Sequence, residues 1–114
     1  MIALTVLQKK EDTPLSPFFS HTAWLLLVEE KSNRLTWVKN THLNASFLVE
    51  QICVAQPIHT ICGHVDPHSA RTLLRHKLDV RIGPCSVPAR SLITDPTRLP
   101  TISASTNSKY TASD

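Results

Sequence analysis

Glycine occurs only twice in the 114 residues, at Gly63 and Gly83. Phosphate-cradling loops, dinucleotide fingerprints and nucleophile elbows each need glycines at set spacings, and none is written here. Aromatic residues make up 5% of the chain. The longest apolar run, AWLLLV, is strand-length and far short of the roughly 18 residues that cross a bilayer. Carboxylates are sparse, and Glu29, Glu30 and Asp66 are not spaced as a general acid and base pair, so no enzymatic activity is expected.

Cysteine is also limiting. Cys53, Cys62 and Cys85 are an odd number without C-x-x-C spacing, which excludes a disulfide framework, a zinc ribbon and a ferredoxin pattern. They are expected to be thiols in a reducing compartment. The first residues, MIALTVLQKK, run from apolar to basic, the reverse of a secretory signal, so the expectation is cytoplasmic with no membrane partner.

A hydrophobic fraction of 41% and a charged fraction of 18% suit one soluble domain with a single core. The net charge of +3 and a pI near 9.0 give a moderate preference for anions. No dense cationic patch is interleaved with aromatics, so nucleic acid is not an expected partner.

The pattern along the chain predicts an α/β fold. Strands are expected over Met1–Gln8, Ala23–Glu30 and Arg34–Asn40, the last two joined as an antiparallel hairpin across EKSN. KKEDTPLSPFFS should be a loop, because its prolines forbid regular pairing. Asn44 can cap a helix whose apolar face carries Ala45, Leu48, Val49, Ile52 and Cys53 and which ends before Pro57. A short strand over Ile58–Gly63 leads to a helix starting at Asp66–Pro67, with Ala70, Leu73, Leu74 and Leu78 as its buried stripe. DVRIG is a further strand, and CSVPARSLI a short helix with Pro88 in its first turn. The order implies a mixed sheet with helices on its faces. The domain is expected to span residues 1–96, with 97–114 a disordered Ser/Thr-rich tail that can be removed.

The chemistry gathers around ICGHVDPHSA. His59, Cys62, His64 and His68 are imidazole and thiol donors of the kind that iron, zinc and copper take. Strand alternation sends Cys62 and His64 to one side and His59 to the other, while His68 in the first helical turn could swing toward them. Gly63 and Gly83 both fall at carboxyl ends of neighbouring parallel strands, where open α/β sheets hold ligands, and the helix N-terminus at Asp66 favours an anion there. Cys85 and His21 are lesser candidates for the same edge. Each has a plain structural alternative: Cys62 as a small buried hydrophobe, the histidines as solvated loop residues and Cys85 as an incidental thiol. Cys53 reads as core, and His42, His76, Arg71 and Arg75 read as a solvated surface.

With these elements placed, the chain resembles the dinitrogenase iron-molybdenum cofactor biosynthesis family, which includes NifX, NafY and the C-terminal domain of NifB. The family motif S-x-H-F-G-R-A is similar to SPFFSHT, where Ser16 and Phe19 agree; Phe18 stands for histidine, Ser20 for glycine, His21 for arginine and Thr22 for alanine. The motif G-G-I-G-x-x-A-x-x-x-L-x-x-x-G-I-x-V is similar to GHVDPHSARTLLRHKLDV. Gly63, Leu73 and Val80 are identical there, Val65, Ser69 and Leu78 are similar, and His64, Asp66 and Lys77 stand where glycine is usual. The resemblance covers about Ile2 to Leu92.

It implies a ribonuclease H-like fold with a mixed five-stranded sheet flanked by helices, lacking the nuclease's carboxylates. It also implies a non-enzymatic carrier, in nitrogen fixation, of an anionic iron-sulfur or iron-molybdenum cluster passed between assembly proteins. Cys62 and His64 are then the leading ligands, with His68, His21 and Cys85 behind them; His21 is a substitute for the histidine lost at Phe18. Two alternatives stand beside this reading. One is a regulatory or interaction domain of the same fold without metal, and the other a mononuclear zinc or copper binder using Cys62, His64 and His68.

Overall fold

A computed structural model describes residues 1–102. Its centre is a five-stranded sheet formed by β1 (Ile2–Val6), β2 (Trp24–Glu29), β3 (Arg34–Lys39), β4 (His59–Cys62) and β5 (Val80–Ile82), in the order β3-β2-β1-β4-β5. The hairpin is antiparallel as expected, with Leu26 opposite Trp37, and β1 joins it antiparallel with Leu4 opposite Leu26. β1 then pairs in parallel with β4, Leu4 beside Ile61, and β4 in parallel with β5, Cys62 beside Ile82. The sheet is therefore mixed, and the carboxyl ends of β1, β4 and β5 share one edge. The central strand β1 is buried along its whole length, as its apolar sequence requires.

Two helices, α1 (Ala45–Ala55) and α2 (Pro67–Arg75), connect the parallel half. Asn44 caps α1 by accepting from the N–H groups of Ser46 at 2.8 Å and Phe47 at 3.3 Å. Asp66 caps α2 by accepting from the Ser69 N–H at 3.0 Å, with Pro67 at the first helical position. The helices end on left-handed or turn residues. Gln56 closes α1 at φ 49°, and Lys77, which stands where the resembling motif has glycine, follows α2 at φ 60°. That backbone conformation is the physical reason a glycine is favoured at position 77.

Helices were expected on the faces of the sheet, yet both lie on one. Leu48 and Ile52 of α1 and Ala70 and Leu73 of α2 pack with Ala3, Leu25, Cys62 and Val80. The opposite face, with Ile2, Leu4, Leu26 and Ile61, is covered by Leu15 from the first connection and by Ala89 and Leu92. The last two belong to a six-residue 3₁₀ segment, Ala89–Thr94, where an α-helix was expected; Pro88 precedes it. Six residues form too few i to i+4 bonds to hold an α-helix against the tighter turn.

The boundary at residue 96 also changes. Thr101 bridges Arg81, the Ile82 N–H donates to the Pro100 carbonyl and the Ile102 N–H to the Val80 carbonyl, both at 3.0 Å. Arg81 donates from Nη1 to the carbonyls of Thr97 at 3.0 Å and Leu99 at 2.9 Å. Ile102 is 6% exposed and packs into the helix-side core. Thr97 to Ile102 thus run along β5 as part of the domain, because β5 would otherwise leave its outer row of N–H and C=O groups unpaired. The rest of the expected tail, 103–114, lies outside the described residues.

Candidate functional site

Three connections meet at the carboxyl edge of β1 and β4. The segment after β1 crosses Gly63: the His64 N–H donates to the Pro17 carbonyl and the Phe19 N–H to the His64 carbonyl, each at 2.8 Å. Phe18 and His64 form a parallel bridge outside the sheet proper. A Cβ on Gly63 would strike the Ser16 carbonyl and lie 3.1 Å from both the Pro17 carbonyl and the Cys85 sulfur. Gly63 is there because two other segments approach its backbone closely.

The same crossing sets a row of rings at the surface. The Phe18 ring lies edge-on to His64, with centroids 6.0 Å apart, and edge-on to His21 at 6.3 Å. Its carbonyl accepts from Ser16 Oγ at 3.0 Å and Thr22 Oγ1 at 3.2 Å, which fixes the short 3₁₀ turn Phe19–His21 and aims the row outward. Phe18 remains 54% exposed. Two imidazoles thus flank an exposed aromatic, and the Cys85 thiol sits below at Gly63. Burial pushes that thiol above its ordinary value, so it is neutral near pH 7.

Cys62 does not join them. It is 0% exposed, inside the core under the helices, and burial pushes its thiol up to about 12, with the Thr5 hydroxyl lowering it by less. The expected alternation from Cys62 to His64 fails because ladder pairing with β5 ends at Cys62, and residues beyond Gly63 pair with the first connection instead. Cys62 is therefore the buried hydrophobe and not a ligand of an accessible site. His68 is also removed from the edge: it lines a groove between α1 and α2 together with Cys53 and His76. Among the described residues no three His, Cys, Asp or Glu side chains converge to hold a metal ion. The zinc or copper set of Cys62, His64 and His68 is accordingly not assembled. The N-terminus of α2 does not offer an open anion site either, since the Asp66 carboxylate already caps it.

His59, set aside for its direction, lies 3.2 Å from Asp79 through Nδ1, and Asp79 takes a two-pronged hydrogen bond from Arg81 at 2.8 and 3.0 Å. This network pins the amino ends of β4 and β5 and the returning segment, away from the ring row. Phe18 joins the site without having been a candidate ligand. Its only signal was its place where the resembling motif has histidine.

No family model and no curated protein matches the chain. Solved structures do. The orange protein from Desulfovibrio gigas, in its apo form, superposes with a TM-score of 0.78 at 16% identity, covering 90% of this chain and 92% of that one. A NifB-like protein from Thermotoga, solved by NMR, superposes at 0.72 with 16% identity, covering 88% and 90%. The likeness is one of fold. It spans nearly the whole of each chain rather than a local motif. No helix among the described residues is long and apolar enough to cross a membrane.

Proposed function

We propose that this chain is a non-enzymatic binding and carrier protein for an anionic iron-sulfur or iron-molybdenum cluster, of the kind made for nitrogenase, on a ribonuclease H-like fold. The observation that carries the reading is the row His21, Phe18, His64 at the carboxyl edge, the place where open α/β sheets hold ligands. Two similar folds support it: one was solved as an apo form, a term for a protein that also binds a group, and the other is NifB-like.

The donor set fits a cargo held at a few points. Imidazoles suit iron and copper, Cys85 is a soft donor within the same surface once deprotonated, and the exposed Phe18 ring shields one side of a bound cluster from water. Two imidazoles, with a thiol that must lose its proton before it can bind, hold a cluster loosely, as handing it on to an assembly protein requires. The protein acts in the cytoplasm, without nucleic acid or membrane as partner, and catalyses nothing itself.

Anaerobic reconstitution with iron, sulfide and tetrathiomolybdate, followed by absorption and metal analysis, tests this. Wild type takes up cluster, the double substitution His21→Ala with His64→Ala loses most of it, and Cys62→Ala keeps it. Failure of wild type to take up any metal would end the carrier reading. The exposed Phe18 in place of a third donor favours a second reading, a regulatory interaction domain without metal, and that same failure would leave it standing.

A further inference from the structure

The face made by α1 and α2 is unlike the rest of the surface. Of the eleven residues of α1 only Glu50 is charged, so the helix is apolar well beyond the side it buries against the sheet. Leu48 and Ile52 face the core, while Val49 and Cys53 floor a groove of about 490 Å³ between the helices. Val54 forms its outer lip and is 76% exposed. The groove continues into a second hollow of about 310 Å³ past Cys53 and His76 toward Leu78. It therefore follows α1 for about three helical turns, roughly 16 Å.

Charge on the facing helix has one sign. His68, Thr72 and His76, spaced i, i+4, i+8, line the groove, and Arg71 and Arg75 occupy the adjoining exposed stripe of α2, with Lys77 just beyond. None of these three cations forms an ion pair among the described residues. Among the described residues the carboxylates at the groove are Glu50 on the α1 side and Asp66 at its end, the latter engaged as a helix cap.

From this juxtaposition we infer that the α1–α2 groove is a docking site for an acidic amphipathic helix of a partner protein. The partner's apolar stripe lies over Val49, Cys53 and Val54, and its carboxylates face Arg71, Arg75 and Lys77. The length of the groove matches about three turns of one helix, read by apolar residues at i, i+3, i+4 and i+7. A second copy of this chain is the wrong occupant for a two-fold contact, which would set the cationic rims against each other. A lipid or nucleic-acid surface would engage the same cations, and competition by vesicles or duplex DNA separates it from a helix.

The site lies on the helix face and is independent of the ring row at the sheet edge. The probes are two fluorescein-labelled synthetic peptides of about 18 residues, long enough to hold helix. Both carry one leucine stripe; the remaining positions are glutamate-rich in one and lysine-rich in the other. Fluorescence anisotropy with the full chain is expected to show binding of the glutamate peptide and none of the lysine peptide. The double substitution Arg71→Glu with Arg75→Glu should weaken that binding at least about tenfold, and added salt should weaken it in wild type. Val54→Glu, at an exposed position, provides a second test that does not touch α2 and is expected to weaken binding by a similar factor. Circular dichroism confirms that each variant is folded, and their cluster uptake stays at the wild-type level. Equal binding of both peptides, an affinity unmoved by the variants, or displacement of the glutamate peptide by phosphatidylglycerol vesicles or duplex DNA would each overturn the inference.

Discussion

Ile102→Ala tests the claim that the segment after Pro96 belongs to the domain. The substitution removes three carbons from a side chain only 6% exposed, within a core shared by both helices and β5. At about 0.8 kcal/mol for each buried methylene, the transfer loss is about 2.4 kcal/mol. The cavity left behind adds to this, although a position at the margin of the core can partly collapse. We therefore expect a loss of about 2 to 3 kcal/mol, at the lower end of the range for isoleucine truncations. For a domain of this size that lowers the Tm by about 10 °C or more. Urea unfolding followed by circular dichroism measures it directly, with an unchanged m-value showing that the native state is still formed. Ending the chain at Pro96 should cost at least as much, since the carbonyl acceptors of Arg81 and the pairing with Ile82 and Val80 go with it. A change below about 0.5 kcal/mol in either variant, the size of an ordinary surface effect, would refute the reasoning.

Three further outcomes follow from the geometry. Gly63→Ala places a Cβ against the Ser16 and Pro17 carbonyls and the Cys85 sulfur, and should cost about 1 to 3 kcal/mol while displacing the Phe18 turn, seen as a shift in the histidine ring NMR signals. With a thiol reagent at neutral pH, Cys53 and Cys85 should react slowly and Cys62 only after unfolding; fast labelling of Cys62 in the native state would contradict its place in the core. Asp79 is held below the usual carboxylate range, first by hydrogen bonds from Arg81 and then by the charges of Arg81 and His59. A folded-state value below the unfolded one means that the stabilisation is complete above about pH 4 and is lost as pH falls through the depressed value. Asp79→Asn should accordingly flatten the fall in Tm below about pH 4, and an unchanged acid profile would count against it.

Much of the fold is legible in the sequence. Asp66 and Pro67 announced the start of α2, Asn44 that of α1, and the alternation around Trp37 the hairpin, because caps and periodicity are local signals. The candidate edge was legible as a place, through Gly63 at the end of β4. Its membership was not. Whether Cys62 meets solvent or core depends on where pairing with β5 stops, and whether Phe18 meets His64 depends on a crossing between segments more than forty residues apart. Neither is written within a short window.

The returning segment shows the same limit. TRLPTI has the composition of a loop, and the unpaired flank of β5 gives it a partner. Sequence alone determined the order of the five strands and two α-helices, the caps of those helices and the absence of nucleotide, disulfide and zinc-ribbon patterns, since each rests on residue type and near spacing. Tertiary structure decided that both helices share one face and that Cys62 is core. It also decided that His21, Phe18 and His64 form the edge, and that α1 and α2 enclose an apolar, cation-rimmed groove. These depend on contacts distant in sequence, which only the folded sheet brings together.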